Sequence, residues 1–355
     1  MQRPTTPLRA GSVLLGLLLI AGAFLTAFWI TPSYVDRLPD DVNAQRPLAG
    51  TFTTLLDGQA LAQGNLLGAL KHNVPLTIDR NVKVVATSGG SALVSDARTT
   101  RAAGTPVEQT TWQYAVDRKS LEPVDHHPSS WSVVDAKGLT VSFPFGAGKQ
   151  TYTGWVPETA TTVPVTYSHS EQRSGLQTYV YQATTPASRI TDSQVLAGLP
   201  KALPQSDLKL LVQFGQLTPD QQAKLTALLP TLSDPAPLSY TLQGNDTFWV
   251  EPETGSVIDV KRVQQRTAAL TAPGGTLVPL LPVIDATYQQ TPAAVSSAVD
   301  DAKDGRDAIS WVGTIIPIIA GILGALLIAA ALLIPTRRRP TAPTTGPDSF
   351  RESDN

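Results

Sequence analysis

The stretch "VPVTYSHSEQRSGLQTYVYQAT", Val163 to Thr184, decides the fold class. Two runs rich in β-branched and aromatic residues flank Ser174-Gly175, a pair suited to a tight turn. The pattern predicts two antiparallel strands joined as a hairpin. Outward from it, "NVKVVAT" (Asn81 to Thr87) and "LTVSFPF" (Leu139 to Phe145) alternate or run β-branched and aromatic, and both read as strands. "WQYAVDRKSLEPV" carries Tyr114, Asp117 and Ser120, and "TFWVEPETGSVIDVKRVQQ" carries Phe248, Glu251 and Thr254 at the same spacing. Each predicts an aromatic strand, an acidic turn and a returning apolar strand. The turn acid and hydroxyl are placed to bond local backbone amides.

Helical signals are fewer. "LTPDQQAKLTALLPTL" begins with Thr218 as N-cap, Pro219 at the first position and Asp220 in the first turn. "TDSQVLAGLPKAL" offers Thr191 or Asp192 as a cap. "TPAAVSSAVDDAKDGRDAISW" reads as a helix running into a long apolar segment, as a stalk would.

Both ends of the chain hold uncharged apolar runs: Gly11 to Ile30, and Ala308 to Ile334. A helix needs roughly 20 such residues to cross a bilayer core. A cleaved signal peptide is the rival reading of the first run, with Arg3 and Arg9 ahead of it and Ala21-Gly22-Ala23 within it. The apolar run continues past those small residues to Trp29, which favours an anchor. Pro317 predicts a kink in the second span. Gly321, Ala325 and Ala329, and Ala23 and Ala27, form small-residue faces that let helices pack. Arg3, Arg9 and Arg337 to Arg339 lie on one side of the spans, while Asp36, Asp40, Asp41, Asp300, Asp301, Asp304 and Asp307 crowd the other. The positive-inside rule then puts both termini in the cytoplasm.

The resulting expectation is α+β: a β-rich extracytoplasmic domain between two terminal transmembrane α-helices. Its divisions are a cytoplasmic N-terminus (1–10), a first span (11–30), the outer domain (31–307), a second span (308–334) and a cytoplasmic Pro/Thr-rich tail (335–355). The chain has a net charge of −2, and the tails carry +3, so the outer domain carries −5. An acidic domain is a poor nucleic-acid binder, since phosphate contacts need clustered Lys and Arg. With no cysteine, disulfides and thiolate chemistry are excluded.

Catalytic and metal motifs are missing. "FPFGAGKQTYTGW" contains Gly146-Ala147-Gly148-Lys149, but a phosphate loop needs Gly where Phe143 stands and Ser or Thr where Gln150 stands. The stretch reads as a turn between extended segments. His72, His126, His127 and His169 form no zinc pattern. Gly89-Gly90-Ser91 lacks the closing Gly of a nucleophile elbow and reads as a turn. Asp117, Asp125, Glu158, Glu251 and Asp259 show no acid/base spacing. No catalytic, cofactor or metal residue is nominated, and no cofactor is expected. The spans hold no charge, so neither reads as an ion path.

Taken together and in order, "FPFGAGKQTYTGW", "EQRSGLQTYVYQA" and "TFWVEPETGSVIDVKRVQQ" between two terminal spans resemble the porin PorA family of actinobacterial membrane proteins. The resemblance covers essentially the whole chain and brings no functional residue with it. It implies a role in cell-envelope and lipoglycan assembly. In outline the topology is similar to class B scavenger receptors, whose β-rich outer domain can house a lipid tunnel. The short, Pro- and Gly-interrupted strand segments argue against a membrane barrel. The leading expectation is a non-enzymatic plasma-membrane protein that handles a lipid or lipid-linked glycan. A scaffold or regulator of a membrane glycosyltransferase partner is the alternative. An extracytoplasmic hydrolase, which a buried carboxylate cluster with perturbed titration would favour, and a channel follow.

Overall fold

The Ser174-Gly175 turn closes its hairpin as the sequence predicts. Both residues have positive φ, 50° and 83°, and Arg173 pairs with Leu176 across them. In the computed structural model, residues 5–65, 68–214, 217–272 and 274–333 are described. The chain divides into two units, Tyr34–Ala308 and the two ends Met1–Ser33 with Ile309–Asn355.

The larger unit is built on one twelve-stranded antiparallel sheet. Its strands are β1 (Asn43–Gln45), β2 (Leu48–Leu56), β3 (Leu70–Ser88), β4 (Ser91–Ala102), β5 (Thr105–Asp117) and β6 (Thr151–Val156). They continue with β7 (Thr161–Arg173), β8 (Leu176–Arg189), β9 (Ala202–Leu203), β10 (Ala236–Val250), β11 (Val257–Thr271) and β12 (Leu277–Gln290). The spatial order is β5-β4-β3-β2-β12-β11-β10-β8-β7-β6, with β1 on β3 and β9 on β10. The expectation of short strands does not hold: β3 has 19 residues and β10 and β11 have 15 each. Prolines are absorbed rather than breaking strands. Pro279 and Pro282 of β12 sit where the ladder with β11 shifts register.

The edge strands β5 and β6 are bridged by an irregular strap, residues 118–150. Val134 donates to the Gln113 carbonyl on β5; Leu139 donates to Thr153 on β6 and accepts from Trp155. "LTVSFPF" therefore does not form a strand as predicted. Only Leu139 bridges β6, and Phe143 then donates to the Gly255 carbonyl in the β10–β11 turn. A Cβ on Gly255 would lie 2.2 Å from the Phe143 carbonyl, and its φ is 71°, so glycine is required there. The open part of the β5 edge is capped by the short helix Ser193–Ala197, itself capped by Asp192: the Gln194 amide donates to and accepts from the Thr111 backbone.

The two acidic turns bond as read, but only the second leads into a returning strand: β11 follows Glu251, whereas after Asp117 the chain comes back only through a single bridge between Val116 and Pro123. Asp117 accepts from the Lys119 and Ser120 amides, and Glu251 from the Glu253 and Thr254 amides and the Thr254 hydroxyl. Thr218 caps the helix Pro219–Leu228, in a reciprocal box with Gln221. The helix Pro292–Ser310 is not a free stalk over its first part. Val299 and Ala302 pack on Leu176 and Ile258, and Arg306 reaches Glu251 and Glu253.

In the smaller unit two apolar helices pack together, Thr5–Leu25, continued by π-helical turns over Thr26–Val35, and Ile316–Leu333, preceded by π-helical turns over Trp311–Ile315. Pro317 lacks the N–H of an ordinary turn, and just ahead of it Ile316 donates to Trp311, five residues back. Gly16 and Gly324 let the backbones approach closely, each lying where a Cβ would sit 2.6 Å from the other's carbonyl oxygen. Pro317, Gly324 and Ala331, seven apart, are buried, and Ala23 and Ala27 are half-buried. Ala325 and Ala329 are exposed, so the packing face is adjacent to the predicted one. Large exposed apolar side chains, from Leu14 to Trp29 and Trp311 to Leu333, dominate this unit. Arg3, Arg337 to Arg339 and the tail after residue 334 lie outside the described residues, as does the Arg9 side chain.

Candidate functional site

Strand alternation aims every second side chain into the interior. On β4 these include Asp96 and Arg98, on β11 Arg262, Gln264 and Arg266. The register sets Arg80 of β3 directly opposite Arg98, and Asp246 of β10 opposite Arg262. Glu108 and Tyr114 come from β5, Tyr288 from β12 and Glu158 from the β6–β7 turn. The result is an internal belt of four guanidiniums (Arg80, Arg98, Arg262, Arg266) and four carboxylates (Asp96, Glu108, Glu158, Asp246).

Two cations facing each other repel. Asp96, wholly buried between them, resolves this. Arg80 donates to both of its oxygens, at 2.9 and 3.0 Å, and Arg98 donates at 2.7 and 3.4 Å. Burial alone would raise the Asp96 pKa, but the two guanidiniums outweigh it and hold the carboxyl well below its usual range. Arg266 forms a two-pronged pair with Glu108. Glu158 stands 3.9 Å from Arg98, whose guanidinium lies 5.0 Å over the Trp112 ring. The Arg262–Asp246 pair is looser, at 3.6 Å, and burial pushes the Asp246 pKa up. Burial likewise raises the Tyr288 phenol to about 12, while its hydroxyl donates to Gln264 at 2.7 Å.

The belt separates two chambers. The first, about 90 Å³, is walled by Leu139 to Phe143 of the strap, Trp155, Val163, Val165, Phe248 and Val260, with residues from β3, β4, β5, β6, β7, β8, β10 and β11 around it, so the sheet curls about it. The second, about 80 Å³, is walled by Phe52, Leu55, Leu76, Ile78, Trp112 and Ile284. Arg98, Glu158 and Gln264 border both. At roughly 10–15 Å³ per water position, each chamber takes a ring-sized group or a small water cluster. The interior is thus amphipathic: apolar walls on either side of a charge-balanced waist.

Of the residues read in the sequence, Tyr114, Phe248 and Glu158 border the first chamber, and the histidines, the other carboxylates and Gly146 to Lys149 fall elsewhere. His72 contacts Thr53 and Thr54, His127 stacks on Trp131, and His169 meets Glu171. Among the described residues no group of three His, Asp or Glu could hold a metal. Asp259 is buried and ion-paired with Arg173, away from both chambers. Gly146 to Lys149 is a turn whose polar groups are already used. Gly146 and Ala147 donate to Glu253 and Pro252, Gly148 donates to the Tyr152 hydroxyl, and Lys149 lies 5.6 and 5.1 Å over Tyr167 and Tyr179. The belt residues other than Glu158 sit in no local motif. Their signal in the sequence is charge at alternate positions, Asp96-x-Arg98 and Arg262-x-Gln264-x-Arg266.

Among solved structures, a crystal structure of an acyl-CoA thioesterase II, TesB2, from Mycobacterium marinum matches at 14% identity, over 70% of this chain and 79% of that one, with a TM-score of 0.11. The dehydratase domain of RzxB from Pseudomonas fluorescens matches at 12% identity, over 70% and 77%, with a TM-score of 0.10. Likenesses this weak carry no argument about fold or activity. No curated protein matches the chain. The family described as Porin PorA matches residues 10–333, nearly all of the sequence, and two helices are long and apolar enough to cross a membrane. The chain is therefore a membrane protein of the porin PorA family.

Proposed function

We propose that this protein is a non-enzymatic envelope component that binds or hands on a lipid or lipid-linked glycan, with its β domain on the outer side of the plasma membrane and both termini in the cytoplasm. The carrying observation is the interior of the sheet, where apolar walls flank a neutralised polar belt. An amphiphile matches such a lining, because burying its apolar part is favourable while its polar part meets hydrogen-bonding groups. The arginine-flanked spans support the orientation. Mass spectrometry of lipids that co-purify with the full-length protein, against a form lacking Thr31 to Asp307, tests the reading. A stoichiometric amphiphile lost with the domain is expected; equal bulk phospholipid in both samples would overturn it and favour a scaffold for a membrane glycosyltransferase.

One observation favours an extracytoplasmic hydrolase or transferase as the second reading. Asp246 and Glu158 both border the first chamber, and the Asp246 carboxyl titrates above its ordinary range. Against it, Asp96 is locked in its ionised form out of contact with either chamber, and Asp246 and Glu158 each face an arginine. Turnover of a glycoside or ester panel that Asp246→Asn abolishes would promote this reading. The family's name suggests a channel. Among the described residues of the β domain only Val85, Val107, Leu210 and Val263 are large exposed apolar residues, so the described strands present no lipid-facing band. Planar-bilayer conductance tests that reading directly.

A further inference from the structure

Among the described residues, three buried side-chain atoms without a hydrogen-bond partner, Thr140 Oγ1, Trp155 Nε1 and Asp246 Oδ1, belong to residues that line one cavity, the first chamber. No described residue lining the second chamber has such an atom. A buried polar atom left unpaired costs about 1–3 kcal/mol, so proteins rarely leave one without a role. Three on one cavity mark a site that something else completes.

The identity of the three atoms restricts the occupant. An indole N–H only donates, a carboxylate oxygen only accepts, and a hydroxyl does both. A group carrying several hydroxyls answers all three. The charges restrict it further. Around this chamber Arg80, Arg98 and Arg262 are matched by Asp96, Glu158 and Asp246, so among the described residues no cation is left over for an anionic head, and Asp246 would repel one. Phe143, Trp155 and Phe248 add flat apolar faces of the kind on which the C–H face of a sugar ring packs.

We propose that the first chamber binds one neutral, hydroxyl-rich ring, the sugar end of an amphiphile, through Asp246 Oδ1, Thr140 Oγ1 and Trp155 Nε1. This rests on the reading of the β domain as a binder of lipid or lipid-linked glycan.

The test uses the full-length protein in nanodiscs and three probes that share one chain: octyl β-glucoside, octyl phosphate and octanol, each titrated calorimetrically against empty discs. The glucoside is expected to bind about tenfold or more tighter than the other two. The double variant Thr140→Val/Trp155→Phe is expected to lose about tenfold for the glucoside and nothing for octanol, as befits lost hydrogen bonds. Equal binding of all three probes, untouched by the variant, would overturn the sugar assignment and leave the lipid reading standing. Tighter binding of the phosphate would also overturn it. No binding of any probe would sink both. Thr140→Val alone, nearly the same shape, repeats the comparison should the double variant melt early.

Discussion

The two chambers share a waist but differ in how their polar groups are partnered. In the second, Glu108 and Arg266 close on each other and Tyr288 donates to Gln264. In the first, three polar atoms have no partner and Asp246 reaches its arginine only at 3.6 Å. Buried charge is expensive, and a protein that merely needed to fill its interior would do as well with apolar side chains. A fully partnered chamber is explained by folding alone. A half-partnered one beside it is explained by something that comes and goes.

The largest effect is expected at the shared waist. Asp96→Ala leaves Arg80 and Arg98 facing each other without their carboxylate, and should cost about 3–5 kcal/mol in denaturant unfolding of the full chain. A loss under 1 kcal/mol would mean the pair is hydrated rather than buried. In the second chamber Glu108→Gln should cost about 2 kcal/mol, the value of hydrogen bonds to a charged group. The acid limb separates the chambers by sign. The Asp96 carboxyl is depressed, so its contribution is present above the unfolded value near pH 4 and is lost as pH falls through the folded one. Asp246 is raised, so its contribution is present below about pH 4 and is lost as pH rises through its folded value. Melting curves should therefore show Asp96→Asn approaching wild type on acidification, and Asp246→Asn gaining on wild type as pH rises. Parallel curves would remove the distinction. The smallest effect belongs to Thr140→Val, which has no bond to lose and should be neutral or gain up to about 1 kcal/mol. A loss of that size instead would show a resident bond, and the two chambers would no longer differ.

How much of this is legible in the sequence depends on whether the information is local. Turns and caps are: Ser174-Gly175, Asp117, Glu251 and Thr218 each act through bonds within a few residues. The helix Gln205–Phe214 was not expected, because the Gln205 amide is met by Asp234, 29 residues on, rather than by a neighbouring cap. "LTVSFPF" reads as a strand because it alternates, whereas its partners in the structure, β6 and the Gly255 turn, are distant in sequence. The belt was hidden for a sharper reason. Alternation on β11 would turn Val263 inward, yet Val263 is exposed, and Arg262, Gln264 and Arg266 line the chambers. Register, fixed by the neighbouring strands, overrules the hydrophobicity of a single one. The helix pair makes the same point, since Gly324 rather than Ala325 marks the contact and either fits the composition.

The strap has a consequence for how the interior breathes. Between β3 and β4 the ladder runs the whole length of β4, from Leu76 opposite Ala102 to Ser88 opposite Ser91, and opening it means breaking bonds in series. Between β5 and β6 no ladder forms: the strap is held by scattered bonds, to β5 at Val124 and Val134, to β6 at Leu139 and Trp155, and to the β10–β11 turn at Phe143, Gly146 and Ala147. In hydrogen-exchange terms this seam is a separate, weaker unit, whose amides should exchange through local openings well short of global unfolding. Leu139, Thr140 and Val141 are at once part of the seam and wall of the first chamber. Local opening there would uncover the first chamber while every strand pair stays zipped, leaving access to the interior to a loop and the stability of the protein to the sheet.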